Sequence, residues 1–272
     1  MSEQQLVEYI SKAVIFNDDN FLAFNKPYSL PYASAAPNSL QIDRVLQELK
    51  HRFSVKTGYL RVLKPVDKQV SGVLTLTLFE GWVNFIFRDG SVYKSIAEKY
   101  KAGLVEQHYR AILSRVPRQE EAIINVPLVK TVREQNVQMK PIQFSGRKGD
   151  ALFGNTHYKV ISDNGFSAYV KCIVKDDFTH QIRAHLGWGL ECPILGDKKY
   201  GGRKEYWLRK LHPKIMDLLN LSGNQHHRLP LYLHLHEVVI PYRGYGTGSL
   251  FLKAPIPEFF SYTLKKLRLL VK

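Results

Sequence analysis

The sequence is poor in cysteine and in acidic residues, and it contains no long apolar run. Its two cysteines, Cys172 and Cys192, cannot build a disulfide framework and fit a reducing compartment. No apolar stretch approaches the length of a membrane-spanning helix, so we expect no transmembrane segment. The first twelve residues contain two Glu and no Arg, which is not typical of an intact transit peptide. The remaining composition, with 44% hydrophobic and 23% charged residues, is that of an ordinary globular protein.

The shortage of acidic residues leaves a strongly basic chain. In 272 residues, 39 Lys and Arg stand against 24 Asp and Glu, which gives a formal net charge of +15. A field of that sign attracts polyanions, and nucleic acid is the commonest polyanion in a cell. The alternative is a basic, well-solvated surface without a nucleic-acid partner.

The apolar periodicity predicts an α+β fold in which strands dominate and the sheet is largely antiparallel. The predicted strands lie at 13–16, 21–24, 73–78, 105–113, 156–161, 168–174, 231–239 and 249–253. The predicted helices lie at 5–12, from 39 to 49, within 81–100, at 179–186, near 210–220 and from 258. Residues 117–150 are polar, and we expect short strands there together with a mobile basic loop around 145–149.

Three local details extend this prediction. Ser39 is the expected N-cap of a helix with one apolar face. That face comprises Ile42, Val45, Leu46 and Leu49. The run VLTLTL over 73–78 alternates apolar and hydroxyl residues with period two, which is typical of a half-buried strand. The sequence Asp163-Asn164-Gly165 predicts a hairpin turn.

The stretch 61–78, RVLKPVDKQVSGVLTLTL, places Asp67 on a loop directly before the strand at 73–78. Gly72 gives the backbone the freedom to turn just before that strand. Loops held by rigid elements are where catalytic groups are usually placed, so Asp67 is a candidate functional residue. Taken alone, an Asp before a strand more often caps a turn.

Three stretches resemble, in order, the motifs of one family. VDKQVSGVL is similar to the LD-x-x-TSG-x-L signature of the RNA pseudouridine synthases that resemble the bacterial large-subunit rRNA enzymes. VEQHYRAIL resembles the second motif of that family, in which a Tyr lies in a strand rich in Lys and Arg. THQIRAHL followed by CPILGDKKYG resembles the third motif, which is the most specific of the three. Asn25-Lys26-Pro27 and LYLH at 231–234 resemble two further family positions, and the resemblance covers roughly residues 13–260.

The resemblance implies a single pseudouridine synthase domain, with a mixed, largely antiparallel sheet split by an RNA-binding cleft. Asp67 falls on the catalytic aspartate of the family, Tyr109 on its active-site tyrosine and Arg183 on the arginine that pairs with the aspartate. The implied reaction breaks the C–N glycosidic bond of uridine, turns the base and rejoins it through C5, and it requires no cofactor and no metal. The carboxylate acts as a nucleophile at C1′ or as a base at C2′, and the sequence leaves both mechanisms open. The target nucleotide must be flipped out of its helix to reach such a site.

The same resemblance, together with the positive charge, predicts RNA contacts from residues that flank the three catalytic positions. These residues are Lys64, Lys68, His180, Gln181, Lys198, Lys199 and Arg203. We favour contact with RNA phosphates for the basic stretches 140–148 and 198–210. The alternative is that these stretches form solvated faces. Asp197 in the GDKKYG segment is expected to cap a turn, and Tyr200 to be a packing aromatic.

Two positions depart from the family pattern. Lys64-Pro65 stands where the family usually has His-Arg, and that arginine is implicated in filling the gap left by the flipped base. Either Lys64 or Arg61 substitutes for it, or base flipping is weaker. Phe178 stands where many members have Arg or Lys, so a local phosphate contact is weakened. These departures favour an alternative function, that of a catalytically impaired RNA-binding factor of the same fold acting in mitochondrial ribosome assembly.

The expected organisation is an N-terminal extension over 1–12, a catalytic domain over 13–260 and a C-terminal helix end over 261–272. Several segments resemble most the mitochondrial members of animal cells, which implies a mitochondrial matrix enzyme acting on rRNA, with tRNA and mRNA as alternatives. Ser71 beside Asp67 has no G-x-S-x-G elbow, so a hydrolase is disfavoured. The histidines at 226, 227, 234 and 236 have no Cys or carboxylate at ligand spacing, so a metal site is disfavoured as well.

Overall fold

Strands dominate the chain and short helices are scattered between them, as the apolar pattern predicts. The computed structural model describes residues 2–33, 39–53, 58–79, 91–133, 136–142, 150–176, 178–201, 211–242 and 248–270. The strands of the N-terminal part are β1 (Val14–Asn17), β2 (Phe21–Lys26), β3 (Tyr59–Val62) and β4 (Ser71–Phe79). Those that follow are β5 (Glu106–Leu113), β6 (Glu121–Ile124), β7 (Leu128–Arg133), β8 (Asn136–Pro141), β9 (Ala151–Leu152), β10 (Thr156–Asp163), β11 (Ala168–Val174), β12 (Leu233–Pro241) and β13 (Ser249–Lys253).

The helices are short and lie between these strands. They are α1 (Glu3–Lys12), α2 (Leu46–Arg52), α3 (Ser91–Lys101), α4 (Gln181–Ala184), α5 (Pro213–Leu218) and α6 (Glu258–Lys266). A 3₁₀ turn precedes α2, and a π-helical turn, His185–Gly189, follows α4. The α+β class with a largely antiparallel sheet is thereby confirmed. Among the described residues, no helix is long and apolar enough to cross a membrane.

The chain divides into two compact units, and each is assembled from two stretches of sequence. The first unit comprises Met1–Glu106 and Leu235–Pro255, and the second comprises Gln107–His234 and Ile256–Lys272. In the first unit β1, β2, β4 and β12 lie side by side, with β3 paired to β4 and β13 to β12. In the second unit β5, β11, β10 and β6 form one antiparallel arrangement, and β8, β7 and β9 form another.

The core of the first unit includes the N-terminal helix. Leu6, Val7 and Ile10 of α1 are buried and belong to the same apolar cluster as Leu74 and Leu76 of β4. Ser2 caps α1 through a reciprocal pair of hydrogen bonds with Gln5, which fixes where the helix begins. The predicted domain boundaries at 12/13 and 260/261 stay a prediction.

Strand β4 corrects one expectation. The period-two pattern predicts a half-buried strand, but every residue from Ser71 to Thr77 is buried. Leu74 and Leu76 face the apolar cluster, while Thr75 and Thr77 on the opposite face are 4% and 0% exposed. The apolar cluster covers the face of Leu74 and Leu76, and α3 also packs against the strand. Hydroxyl residues in a strand therefore did not mark a solvent face here.

The predicted cap at Ser39 is also wrong. The 3₁₀ turn begins at Asp43 after Ile42, and no side chain caps it; the Ser39 hydroxyl instead donates to the Gln41 side chain at 3.3 Å. The apolar face itself is confirmed, since Ile42, Val45 and Leu49 are buried in the core. Burial of this face, rather than a cap, accounts for the position of the helix.

One hairpin joins β1 to β2, and another is the hairpin predicted at 163–165. In the first, Asp18 Oδ1 accepts hydrogen bonds from the backbone N–H groups of Asn20 and Phe21 at 2.9 and 2.7 Å. In the second, Asp163 Oδ1 accepts from the N–H of Gly165, whose φ is +83°. The first half of the predicted helical stretch 81–100 lies outside the described residues, as does the predicted basic loop at 145–149.

Gly72 is required by both its backbone angle and its surroundings. Its φ is +121°, and a Cβ added there would lie 2.1 Å from the carbonyl oxygen of Leu235. We expect Gly72→Ala to lower the free energy of unfolding by about 2–3 kcal/mol, from backbone strain plus steric overlap, as measured by chemical denaturation. Gly165→Ala is the matched control, because Gly165 also has positive φ but has no atom within 4 Å of an added Cβ. Equal effects of the two substitutions would contradict the proposed close approach.

Candidate active site

The loop that carries Asp67 lies between β3 and β4 and is closed by a backbone turn. The backbone N–H of Val70 donates to the carbonyl of Asp67 at 3.0 Å, which closes a turn directly before β4. Gly72 then lies opposite Lys26 in the β2–β4 register. Asp67 itself is partly buried, as expected for a group on a loop held by rigid strands.

A buried lysine lies beneath this loop, and sequence reasoning did not include it among the site residues. Lys26 is 0% exposed, and its Nζ donates to the carbonyl oxygens of Pro27, Leu30 and Lys68 at 3.1, 3.0 and 3.3 Å. Burial lowers the pKa of Lys26 to about 7, and the negative charge of Asp67 opposes that shift. The signal available in the sequence was the NKP segment itself, since a Lys that ends a buried strand must find partners for its ammonium group.

We expect Lys26→Met to destabilise the protein by about 1–3 kcal/mol, because three carbonyl groups lose their N–H donor while the apolar volume is kept. Thermal or denaturant unfolding measures the effect. Lys12→Met is the control: Lys12 is exposed and forms only a surface pair with Glu8 at 2.6 Å, so its loss should leave the unfolding midpoint nearly unchanged. If Lys26→Met unfolds like this control, the ammonium does not fasten the loop.

The third motif of the sequence folds around a buried ion pair. Arg183 Nε and Nη2 donate to Asp197 Oδ2 and Oδ1, both at 2.8 Å, and the two side chains are 5% and 0% exposed. Asp197 Oδ1 also accepts from the backbone N–H groups of Lys199 and Tyr200 at 2.9 and 3.0 Å. The expected capped turn at Asp197 is thereby confirmed. The bidentate bond to Arg183 was not anticipated and gives Asp197 a second role.

Tyr200 supports the same arginine from another side. The Arg183 guanidinium carbon lies 5.2 Å from the centroid of the Tyr200 ring, and the ring is 2% exposed within an apolar cluster. The Tyr200 hydroxyl accepts from the backbone N–H of Met139 at 2.9 Å and contacts His180 Nδ1 at 2.9 Å. The interpretation of Tyr200 as a packing aromatic is confirmed, and its hydroxyl in addition orients the His180 ring.

His180 begins helix α4 in an uncommon backbone conformation, with φ of +59°. Burial lowers the pKa of His180 to about 3, and the positive charges of Arg183 and Lys199 add to the shift. The imidazole is therefore neutral at physiological pH. Since Tyr200 already accepts from Met139, its hydroxyl can donate to His180 Nδ1, which places the ring proton on Nε2. Any RNA contact of His180 is thus made by a neutral donor and not by a cation.

Gln181 is held inside the protein, and its predicted RNA contact stays a prediction. It is 1% exposed; its Oε1 accepts from the backbone N–H of Phe178 at 3.2 Å, and its Nε2 donates to the Asn155 carbonyl at 3.1 Å. Phe178, which replaces the basic residue of the family pattern, packs against the apolar cluster of Leu128, Met139, Ala184 and Tyr200. These contacts fasten the start of α4 to the segment before β10.

His185 anchors the other end of α4. Its Nδ1 lies 2.8 Å from the hydroxyl of Thr156, and its Nε2 lies 3.0 Å from the Val126 carbonyl. Burial lowers the pKa of His185, so the ring is neutral, with Nε2–H donating to the carbonyl and Nδ1 accepting from the hydroxyl. The backbone then widens into the π-helical turn, where Leu190 N–H donates to the His185 carbonyl.

Tyr109 is fixed by the sheet of the second unit. It lies on β5 opposite Cys172 of β11, and its side chain is 5% exposed. Neighbouring side chains of β5 are buried on both faces of the strand. A ring in this position is held by strand geometry rather than by a mobile loop.

The remaining predicted RNA-binding residues differ in their surroundings. Lys68 and Lys198 are exposed, and the Nζ of Lys64 lies 5.7 Å from the centroid of the Tyr100 ring. Lys199 is partly buried, and its Nζ donates to the Val137 carbonyl at 2.6 Å, so it fastens its loop to β8. Arg203 lies outside the described residues. Across the described part of the chain, no group of His, Cys, Asp or Glu is arranged to hold a metal ion.

Residues 20–188 match the family model for RNA pseudouridylate synthase. The match covers more than half of the chain and includes Asp67, Tyr109 and Arg183. The chain therefore belongs to the RNA pseudouridine synthases, enzymes whose activity is the isomerisation of uridine in RNA to pseudouridine.

Particular relatives agree with this assignment. The chain is 28% identical, over 278 residues, to the human protein named mitochondrial pseudouridylate synthase RPUSD4, covering 97% of this chain and 71% of the relative. It is 26% identical to the human protein named mitochondrial mRNA pseudouridine synthase RPUSD3, covering 99% of this chain and 80% of that one. The solved structure of human RNA pseudouridylate synthase domain containing 4 superposes with a TM-score of 0.81 at 27% identity, over 99% of this chain and 98% of that chain.

Proposed function

We propose that this protein isomerises uridine to pseudouridine in structured RNA, with Asp67 as the catalytic carboxylate. The observation that carries the proposal is the Asp67 loop. Its carboxyl group is the one acidic side chain of the VDKQVSG motif, and the loop is held by a backbone turn and by the buried Lys26 ammonium. A carboxylate on a preorganised loop is suited to a reaction whose rate depends on the placement of one group.

The roles of the other residues follow from the chemistry. A ring such as that of Tyr109, held rigidly in a strand, is suited to stacking on the detached uracil. The Arg183 guanidinium supplies the fixed positive charge that keeps a catalytic carboxylate ionised. Its bidentate bond to Asp197 and its contact with the Tyr200 ring set the orientation of the guanidinium. Asp67 acts as a nucleophile at C1′ or as a base at C2′, and both routes need it ionised.

The proposed RNA is mitochondrial. Both human relatives compared above are named mitochondrial, and one is named for mRNA. We propose rRNA in the mitochondrial matrix as the principal substrate, with tRNA and mRNA as the alternatives. Exposed Lys68 and Lys198, together with Lys64, are proposed to contact the RNA backbone.

The test is a tritium-release assay with mitochondrial RNA labelled at C5 of uridine, taken from cells that lack the protein. Purified protein that performs the reaction exchanges the C5 tritium for a proton, and sequencing of the product RNA locates the modified uridine and so identifies its RNA class. Absence of release from every mitochondrial RNA fraction, with RNA binding intact, would remove the catalytic proposal.

A second function has specific support. Pro65 and Phe178 replace two basic residues of the family pattern, and Phe178 is committed to packing in the apolar cluster. These changes favour a catalytically impaired RNA-binding factor that acts in mitochondrial ribosome assembly. Cells complemented with Asp67→Asn distinguish the two functions: the assembly role survives this substitution, whereas the synthase role does not.

A further inference from the structure

Three contacts between a cation and a tyrosine ring lie in the first unit. Lys50 Nζ lies 5.6 Å from the centroid of the Tyr59 ring, and the Arg61 guanidinium carbon lies 4.5 Å from that of Tyr93. Lys64 Nζ lies 5.7 Å from the centroid of the Tyr100 ring. We call these six residues the tyrosine–cation strip.

The secondary structure places the strip on a continuous surface. Tyr59 and Arg61 are the exposed residues of β3, whose burial alternates, so their side chains share one face and are about 7 Å apart. Tyr93 and Tyr100 are seven residues apart on α3, which places them on the same helix face about two turns apart. Because Arg61 contacts one of these rings and Lys64 the other, the strand face and the helix face adjoin.

We propose that the tyrosine–cation strip binds single-stranded RNA that flanks the target nucleotide. This inference rests on the proposed function, and it adds a second contact surface to that of the catalytic residues. Single-stranded RNA is recognised by aromatic side chains on which unpaired bases stack and by cations that follow the phosphates. The strip offers both, with Tyr59 56% exposed at its end.

The cation–π contacts are compatible with phosphate binding. A guanidinium meets an aromatic ring through its face, whereas it binds phosphate through N–H groups in its plane. The Tyr93 ring therefore holds the Arg61 guanidinium in place and lowers the side-chain entropy lost when RNA binds. Duplex RNA presents no open base faces to Tyr59, so single strands are the expected ligand.

The experiment uses the full-length protein and a fluorescein-labelled oligocytidylate of about twelve nucleotides, a length within the range that such platforms cover. The oligonucleotide contains no uridine, so binding is measured without turnover. We expect Tyr59→Ala to weaken binding about fivefold or more, and Tyr59→Phe to bind like the wild type, because stacking requires only the ring. We expect Arg61→Glu to weaken binding about tenfold and to lower the slope of log affinity against log salt by about 0.7 for each phosphate that the protein no longer neutralises.

Lys253→Glu is the matched control, because Lys253 is an exposed residue of the same unit and the substitution changes the net charge by the same amount. Equal losses for Arg61→Glu and Lys253→Glu would mean that only net charge matters, and would overturn the proposal. Unchanged binding by Tyr59→Ala would overturn it as well, as would equal competition by a polyglutamate peptide, which would indicate an acidic protein ligand. The tritium-release result does not enter this measurement, so failure of the synthase proposal and failure of the strip are distinguishable.

Discussion

Replacing Asp67 by Asn is expected to lower the turnover of uridine on the order of 10³-fold or more, because the carboxamide is neither a nucleophile for C1′ nor a base for C2′. The two side chains have nearly the same shape, so the loop held by Lys26 and the Val70 turn should keep its conformation. RNA affinity should therefore change little, or rise slightly as a negative charge is removed near the phosphates. Single-turnover tritium release and RNA binding, measured on the same protein, separate the two effects.

Asp19→Asn is the control for this experiment. Asp19 is exposed on the first hairpin of the same unit, and its loss changes the net charge by the same amount. It should leave turnover within about twofold, as expected for a surface substitution far from special features. Turnover by Asp67→Asn at the rate of this control would show that another residue performs the reaction.

The second large effect is expected at the ion pair of the third motif. Asp197→Ala leaves the Arg183 guanidinium buried without its bidentate partner, and breaking a buried pair in this way costs about 3–5 kcal/mol. Two backbone N–H groups, those of Lys199 and Tyr200, lose their acceptor at the same time. Calorimetry should show a melting temperature lowered by roughly 10 °C or more.

Two variants identify the source of this loss. Asp197→Asn keeps an oxygen that can accept from the turn N–H groups but lacks the charge, so its melting temperature should lie between those of the wild type and Asp197→Ala. Lys198→Ala, at the exposed neighbouring position, should change stability by less than about 0.5 kcal/mol. If Asp197→Ala had the same melting temperature as the wild type, the buried Arg183 would not need this partner for the stability of the protein.

Local patterns predicted the elements because they depend on neighbouring residues. In the hairpins at Asp18 and at Asp163, the aspartate carboxylate accepts hydrogen bonds from backbone N–H groups two or three residues away, and such bonds are encoded by short segments. Periodicity identified the core positions Ile42, Val45 and Leu49 for the same reason. The predicted helix start at Ser39 was wrong, because burial of the apolar face outweighed the propensity of Ser39 to cap a helix.

The sequence by itself determined the α+β class, the order of the elements and, through motifs in their family order, the membership in the RNA pseudouridine synthases. Only the tertiary structure decided which polar residues are buried. Lys26 and the carbonyl of Lys68 are 42 residues apart, and Arg183 and Asp197 are 14 residues apart, so chain folding brings them together over distances that no local pattern records. Burial makes each of these groups dependent on its partner, because an unpaired donor or charge inside a protein cannot be solvated by water. For that reason the burial of Gln181, whose amide bonds to the backbone of Phe178 and of Asn155, could not be predicted from its sequence neighbours.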